Sequence, residues 1–133
     1  MKIFLDTSFI VAYAVDRDEN NKAAIELEDK GIFGNECYIS NLIINEIVTV
    51  IGNKEDLNKA IKTYAAIKDN CIIINEYNIA NFNEKVINTY KQYNTKLSFT
   101  DSAIIEIMKE NKINNLVSFD KYFDKVSDIK RVY

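Results

Sequence analysis

Short apolar runs alternate with longer amphipathic stretches along the whole chain. Ile3-Phe4-Leu5 and Cys71-Ile72-Ile73-Ile74 contain no charged residue and are typical of strands buried inside a sheet. The stretches between such runs are long enough for helices, and they place apolar residues three or four positions apart. The pattern therefore predicts strands that are separated by helices.

The pattern predicts four strands, a short fifth strand near the C-terminus, and six helices. The strands are expected at residues 3–5, 37–39, 71–74, 116–118 and 131–132. The helices are expected at residues 9–14, 20–30, 42–51, 55–68, 79–93 and 99–112. Strands joined through helical segments pair in parallel. The expected fold class is α/β: a three-layer α/β/α sandwich with a central, mainly parallel sheet of four to five strands, and residues 1–133 form a single domain.

Two details of the helices depend on local sequence. Gly52-Asn53 is expected to end the third helix, because glycine disfavours a helix interior. In the fourth helix, apolar residues recur at a spacing that places them on one face, which predicts that this face packs against the core. The residues on this face are Leu57, Ile61, Tyr64 and Ala65.

The composition excludes several classes of enzyme. The chain has no histidine, which removes His-based triads and metalloprotease helices. Its three glycines form neither a P-loop nor a dinucleotide-binding turn. Cys37 and Cys71 lie far apart without a Cys-x-x-Cys pair, so two buried thiols are favoured over zinc or a disulfide. An enzyme with this composition must work with carboxylates, hydroxyls, lysines, tyrosines or a thiol.

Charge and hydropathy bear on location and partners. No apolar run approaches the roughly 18 residues that span a bilayer, and Asp6 comes too early for a signal peptide. We therefore expect a cytoplasmic protein that does not contact a membrane. The net charge of −3 gives no general attraction to nucleic acid. The C-terminal stretch is locally basic, at Lys121, Lys125, Lys130 and Arg131, and is either a solvated surface or a place for RNA phosphates.

Two carboxylates come directly after predicted strands. Asp6 follows the first strand and Asp120 follows the fourth, and ligands of parallel sheets bind beyond the carboxyl ends of the strands. Each residue also has an ordinary structural interpretation. Asp6 can cap the next helix, although Thr7 or Ser8 could do so instead. Asp120 can be a turn residue.

Two further carboxylates stand beside apolar helix faces. Asp101 shares the core-facing stripe of its helix with Ile104, and no basic residue on the neighbouring turn is placed to pair with it. The alternative is a capping box, in which Ser98 and Asp101 satisfy the start of the helix. Glu46 lies at the flank of an apolar stripe, where a glutamate ordinarily extends outward to solvent.

These four carboxylates can converge at one end of the sheet. Clustered carboxylates repel one another unless a cation lies among them. Oxygen ligands without His or Cys select Mg²⁺ or Mn²⁺. Such ions can activate water and neutralise a phosphodiester during hydrolysis, so no histidine base is needed.

Four segments resemble, in order, the motifs of the PIN-domain family, and specifically its small VapC-type toxins. The first two are Leu5-Asp6-Thr7-Ser8 and Glu46-Ile47-Val48. The third and fourth are Leu97-Ser98-Phe99-Thr100-Asp101-Ser102-Ala103-Ile104 and Val117-Ser118-Phe119-Asp120-Lys121-Tyr122-Phe123. The third and fourth are the specific ones. Tyr122 departs mildly, since relatives more often carry a polar residue at that position.

The resemblance implies a Mg²⁺- or Mn²⁺-dependent endoribonuclease, often dimeric, with an antitoxin protein that inserts a segment into the acidic pocket. It implies Asp6 and Asp101 as the principal metal ligands, and Glu46 and Asp120 as further ligands or residues that position water. Thr7 and Ser118 are expected to hydrogen-bond and orient neighbouring carboxylates. Asp124, one turn beyond Asp120, is a further acidic residue for which a surface role is favoured.

The main alternatives are a non-catalytic PIN-like module that binds RNA or protein and an RNA-processing PIN nuclease without an antitoxin. A phosphohydrolase that acts on small molecules is a third.

Overall fold

Five strands form one sheet in the computed structural model, which describes residues 1–133. The strands are β1 (Lys2–Leu5), β2 (Glu36–Ser40), β3 (Ile72–Ile74), β4 (Asn115–Val117) and β5 (Lys130–Val132). Their spatial order is β3-β2-β1-β4-β5, and every neighbouring pair is parallel. The predicted α/β class and parallel sheet are confirmed, including the short C-terminal strand.

Six helices flank this sheet. They are α1 (Thr7–Ala14), α2 (Asn21–Asp29), α3 (Asn41–Lys54), α4 (Leu57–Asn70), α5 (Phe82–Gln92) and α6 (Phe99–Glu110). Short 3₁₀ turns lie at Ile32–Gly34, Glu76–Asn78 and Lys121–Lys125. The predicted order of elements is therefore confirmed. A cluster of 30 buried apolar residues joins the sheet to the helices.

The third helix does not end at Gly52-Asn53 as predicted. α3 continues to Lys54, and Ile51 is fully buried one residue before the glycine. A helical glycine costs only about 1 kcal/mol. The helix therefore continues past Gly52, and the Glu55 N–H donates to the Ile51 carbonyl at 2.8 Å. Gly52 faces α4, and an added Cβ would make an ordinary contact, 3.8 Å from the Cβ of Ala60.

The predicted core-facing side of α4 is wrong. Leu57, Ile61 and Tyr64 are 72%, 55% and 40% exposed, whereas Ala60 and Ile67 on another face are buried. Both faces have helical spacing, so the period alone cannot select between them. The smaller Ala60 allows α4 to lie close to α3, and this leaves the larger apolar residues in solvent.

The remaining differences concern β3 and the segment after it. β3 is an edge strand, so Ile72 and Ile73 are exposed rather than buried. The following helix begins at Phe82, three residues later than expected, because Asn81 adopts a left-handed conformation with φ of 55°. Both cysteines are free thiols, and burial raises the pKa of Cys71 to about 12. None of the six helices combines the length and the apolar composition that a membrane-spanning helix needs.

Candidate active site

The carboxyl ends of β1 and β4 bring Asp6 and Asp120 to the same edge of the sheet. Leu5 and Val117 are paired in register, and the Asp6 backbone N–H donates to the Val117 carbonyl at 3.1 Å. Asp6 is the first residue after β1, and Asp120 follows β4 by three positions. Parallel pairing of two adjacent strands thus places the two motifs side by side.

Asp6 is a buried carboxylate held by two hydroxyl groups. It is only 5% exposed, and its Oδ2 atom accepts hydrogen bonds from Ser8 Oγ and Ser118 Oγ, each at 2.7 Å. Burial raises the pKa of Asp6, the two hydroxyl groups lower it, and the charge of Glu46 raises it further. Both hydroxyl groups bind the same oxygen. The side chain is therefore fixed, while Oδ1 accepts neither of these hydrogen bonds.

Ser8, and not Thr7 as predicted, donates a hydrogen bond to the Asp6 carboxylate. The Thr7 Oγ1 atom is buried and has no hydrogen-bond partner, so the predicted hydrogen bond from its hydroxyl to a carboxylate is not made. Ser8 also accepts the Phe119 backbone N–H at 3.0 Å, which ties the start of α1 to the loop after β4. Its place two residues after an aspartate is the signal that could have identified it, since serine hydroxyls commonly bond within their own turn.

Asp101 caps the start of α6, and its surroundings also oppose its ionisation. Both interpretations of its sequence therefore apply. It completes a capping box with Ser98, whose Oγ accepts the Asp101 N–H at 3.0 Å. The pKa of Asp101 is raised to about 6, mainly by burial and then by the charges of Asp6 and Asp120. The charges at the strand ends therefore act on the start of α6.

Asp120 and Glu46 occupy more open positions. The backbone N–H of Asp120 donates to Ser118 Oγ at 3.0 Å, and its Oδ1 accepts the Tyr122 N–H at 2.9 Å. Asp120 thus also serves as the turn residue that its sequence context suggested. Glu46 is exposed on α3, and its charge acts on Asp6. The four carboxylates share one electrostatic environment, although they come from four separate elements.

Asp124 lies outside this environment. Arg131 donates to both of its carboxylate oxygens, at 2.8 and 3.0 Å, and lowers its pKa. Arg131 also donates to the Ser118 carbonyl at 3.1 Å. The surface role favoured for Asp124 agrees with this pairing. The suggestion that Arg131 belongs to a basic patch for RNA phosphates fits poorly, because its guanidinium is occupied within the protein.

The oxygen donors of the four carboxylates suit a hard divalent cation, but the carboxylates lie too far apart to form a metal-binding cluster. No three acidic, thiol or imidazole side chains lie close enough together to hold a metal ion in this conformation. However, the donors are all oxygen atoms, and Arg131–Asp124 is the only ion pair in the chain, so no basic side chain neutralises Asp6 or Asp101. The unpartnered Thr7 Oγ1 adjoins Asp6. Such a donor set suits Mg²⁺ or Mn²⁺.

Comparison with known proteins identifies the family. A family model described as the PIN domain matches residues 3–129, nearly the whole chain, and the chain therefore belongs to the PIN domain family. The predicted membership of this family is confirmed.

Several solved structures share this fold. VapC20 of Mycobacterium tuberculosis has a TM-score of 0.81 and 22% identity, over 94% of this chain and 95% of that one. VapBC2 of Rickettsia felis has a TM-score of 0.71 and 15% identity, over 99% and 98%. FitAcB of Neisseria gonorrhoeae has a TM-score of 0.67 and 15% identity, over 98% and 96%. A comparison with curated protein sequences found no match.

Proposed function

We propose that the protein is a Mg²⁺- or Mn²⁺-dependent endoribonuclease that hydrolyses RNA phosphodiesters, and that it is the toxin of a VapBC-type toxin–antitoxin pair. One observation carries this proposal. Asp6 and Asp101 are two carboxylates with raised pKa values, they repel each other at the carboxyl edge of a PIN-domain sheet, and no basic residue pairs with either. Repulsion of this kind is relieved by a bound cation.

Each residue of the site has a role in this proposal. Asp6 and Asp101 would hold the cation, and Glu46 and Asp120 would complete the pocket or position the attacking water. Ser118 and Ser8 fix the orientation of Asp6 through its Oδ2 atom. A divalent cation supplies charge neutralisation at the phosphate and a more acidic water.

The relatives support a toxin in particular. The VapC20 structure is described as a toxin that cleaves the sarcin–ricin loop, and the VapBC2 structure is bound to a DNA fragment from its promoter. At identities of 22% and 15%, these structures share the fold of this chain, and their described activities support the proposal of a toxin.

A groove lined in part by Leu5, the residue before Asp6, fits an antitoxin partner. It has a volume of about 700 Å³ and lies between α1, α2 and α4. Ile10, Phe33 and Ile67 contribute apolar surface, and Lys59 and Lys62 stand on its α4 side. Asp16 and Glu28 also line the groove and balance the two lysines, so its apolar surface is the part that an antitoxin segment would cover. Co-expression with the product of a short upstream reading frame should yield a complex that no longer cleaves RNA. If the two proteins do not associate and RNA is still cleaved, an RNA-processing nuclease without an antitoxin is favoured.

The exposed face of α4 fits a homodimer. Leu57, Ile61 and Tyr64 form an apolar stripe in solvent, and a two-fold axis can cover such a stripe with its own copy. Sedimentation should show a dimer for the wild type and a monomer for the double variant Leu57→Glu/Ile61→Glu. Ile87→Glu, at a position 41% exposed on α5, is the control that should remain dimeric. A monomeric wild type at micromolar concentration contradicts the dimer.

Cleavage of RNA tests the proposed activity. Wild type with Mg²⁺ or Mn²⁺ should cleave, whereas Asp6→Asn and Asp101→Asn should lose at least about 100-fold, more than the loss of a residue that merely supports a ligand. Asp124→Asn removes an acidic side chain outside the site and should retain activity. Phosphate monoesters should not be hydrolysed. Equal cleavage by all four proteins would contradict the site assignment, and tight RNA binding without any cleavage would favour the non-catalytic module.

A further inference from the structure

Arg131 is a buried arginine that contacts the residue after β4. Its side chain is only 5% exposed, and the guanidinium carbon lies 3.9 Å from the centre of the Tyr133 ring. Nε and Nη2 donate to the Asp124 carboxylate, whereas Nη1 donates to the Ser118 carbonyl at 3.1 Å. A guanidinium carries five N–H groups in one rigid plane, so it can hold several acceptors in a fixed geometry. The contact with Ser118 therefore uses a different atom from the ion pair with Asp124.

The Ser118 carbonyl lies beyond the end of the ladder between β4 and β5. Val117 and Val132 form the last pair of residues in register between these two strands. The Ser118 N–H donates to the Val132 carbonyl at 3.1 Å, and Arg131 supplies the donor for the Ser118 carbonyl. Ser118 is only 1% exposed, and a buried carbonyl without a donor is unfavourable. Both main-chain polar groups of Ser118 are thus held by residues of β5.

The Ser118 hydroxyl joins two acidic residues of the site. Its Oγ donates to Asp6 Oδ2 at 2.7 Å and accepts the Asp120 backbone N–H at 3.0 Å. A hydroxyl has one proton to donate, so both contacts are made together only in a narrow range of orientations. When the Ser118 main chain is fixed, these contacts select one side-chain rotamer. The position of Asp6 relative to Asp120 therefore depends on how the main chain of Ser118 is held.

We propose that Arg131 is a positioning residue of the acidic site, which holds the Ser118 main chain so that its hydroxyl keeps Asp6 and Asp120 at a fixed spacing. This rests on the proposed ribonuclease function, because the spacing matters for a cation bound by the carboxylates. Residues that orient metal ligands through hydrogen bonds change metal affinity by about 10- to 100-fold. Arg131 acts through one more residue, so its effect is expected at or below the lower end of this range.

Amide hydrogen exchange in the metal-free protein tests the link between Arg131 and the Ser118 hydroxyl. The exchange rate of the Asp120 amide is measured by NMR in EDTA, because Ser118 Oγ accepts this N–H. Arg131→Met and Ser118→Ala should each accelerate it by about 5-fold or more, the effect of losing one hydrogen bond. The Lys59 amide is the internal control, since it donates to the Asp56 side chain at 2.8 Å at the start of α4. It should exchange at the wild-type rate in both variants.

A double-mutant cycle on Mn²⁺ affinity tests whether Arg131 acts through Ser118. Arg131→Met should bind Mn²⁺ about 3- to 10-fold more weakly than the wild type, whereas Asp124→Asn should bind as the wild type does. In a Ser118→Ala background, Arg131→Met should cause less than about a 2-fold further loss, because a residue that only stabilised the fold would have its full effect in both backgrounds. Arg131→Lys replaces Arg131→Met if that variant does not fold, since a single nitrogen cannot take the places of Nη1 and of the two atoms that face Asp124.

Wild-type exchange of the Asp120 amide in Arg131→Met would overturn the proposal, as would an equal loss of Mn²⁺ affinity with and without the Ser118 hydroxyl. An equal loss in Asp124→Asn would also overturn it, because the ion pair and not the contact with Ser118 would then be responsible. If the wild type binds no Mn²⁺, the proposed ribonuclease function fails, and exchange of the Asp120 amide still decides whether Arg131 positions Ser118.

Discussion

Replacement of Asp101 by asparagine should stabilise the metal-free protein at neutral pH. The carboxyl has a pKa of about 6 in the folded protein against an ordinary value of 3.8, because burial and the charges of Asp6 and Asp120 oppose its ionisation. A pKa that is raised by folding contributes stability below about pH 4, and this contribution is lost as the pH rises through about 6. Asp101→Asn removes that loss, and its amide oxygen can still accept the Ser98 N–H of the capping box.

The magnitude follows from the interval between the two pKa values. A shift from 3.8 to about 6 corresponds to about 3 kcal/mol without solvent screening. The side chain is partly open to water, so we expect about 1–2 kcal/mol in the free energy of unfolding. For a chain of 133 residues this is a rise of about 4–7 °C in Tm.

Thermal unfolding in EDTA between pH 4 and pH 8 measures this effect. Wild type should lose stability relative to Asp101→Asn between about pH 4 and pH 7, and the two should have similar Tm values at pH 4. Asp56→Asn is the control, because Asp56 also caps a helix, through the Lys59 N–H at 2.8 Å, but follows no strand of the site. It should show no such gain. If Asp101→Asn is no more stable than the wild type at pH 7.5, the Asp101 carboxylate does not destabilise the fold and has only the capping role.

Three further substitutions test other parts of the structure. Ser118→Ala should raise the pKa of Asp6 and lower metal affinity by about 10-fold in a Mn²⁺ titration, since it removes a hydrogen bond of 2.7 Å to the carboxylate; an unchanged affinity would contradict this. Gly52→Ala should stabilise the protein by about 0.5–1 kcal/mol in urea unfolding, because an added Cβ meets its nearest atom at 3.8 Å; destabilisation would show overpacking against α4. Glu76→Ala should destabilise it by about 1–2 kcal/mol in the same assay, because the fully buried Glu76 accepts the Leu42 N–H at the start of α3; no change would show that water replaces this cap.

The sequence was most informative where strands end. Asp6 and Asp120 could be placed at one sheet edge because parallel strands share their carboxyl ends, and the strand pairing confirms this. The position of Asp101 at a helix start was also readable, since Ser98 three residues earlier is a capping signal. The position of a residue relative to a strand end or a helix start therefore predicts most of the residues at this edge of the sheet.

Other features depend on contacts between distant segments. Packing against α3 determines that Ala60 rather than Leu57 lies on the buried face of α4. The spacing of apolar residues within α4 does not predict this. The choice of Ser8 rather than Thr7 to hold Asp6 depends on Ser118, 110 positions from Ser8. Sequence spacing within one element cannot resolve such choices.

A Mn²⁺ titration measures whether a cation binds between Asp6 and Asp101, as the proposed function requires. Free Mn²⁺ is followed by electron paramagnetic resonance as the metal is added to wild type, Asp6→Asn, Asp101→Asn and Asp124→Asn. Wild type and Asp124→Asn should bind with the same affinity, and the two site variants should bind at least about 10-fold more weakly. Equal affinity in all four proteins, or no binding by the wild type, would contradict the account.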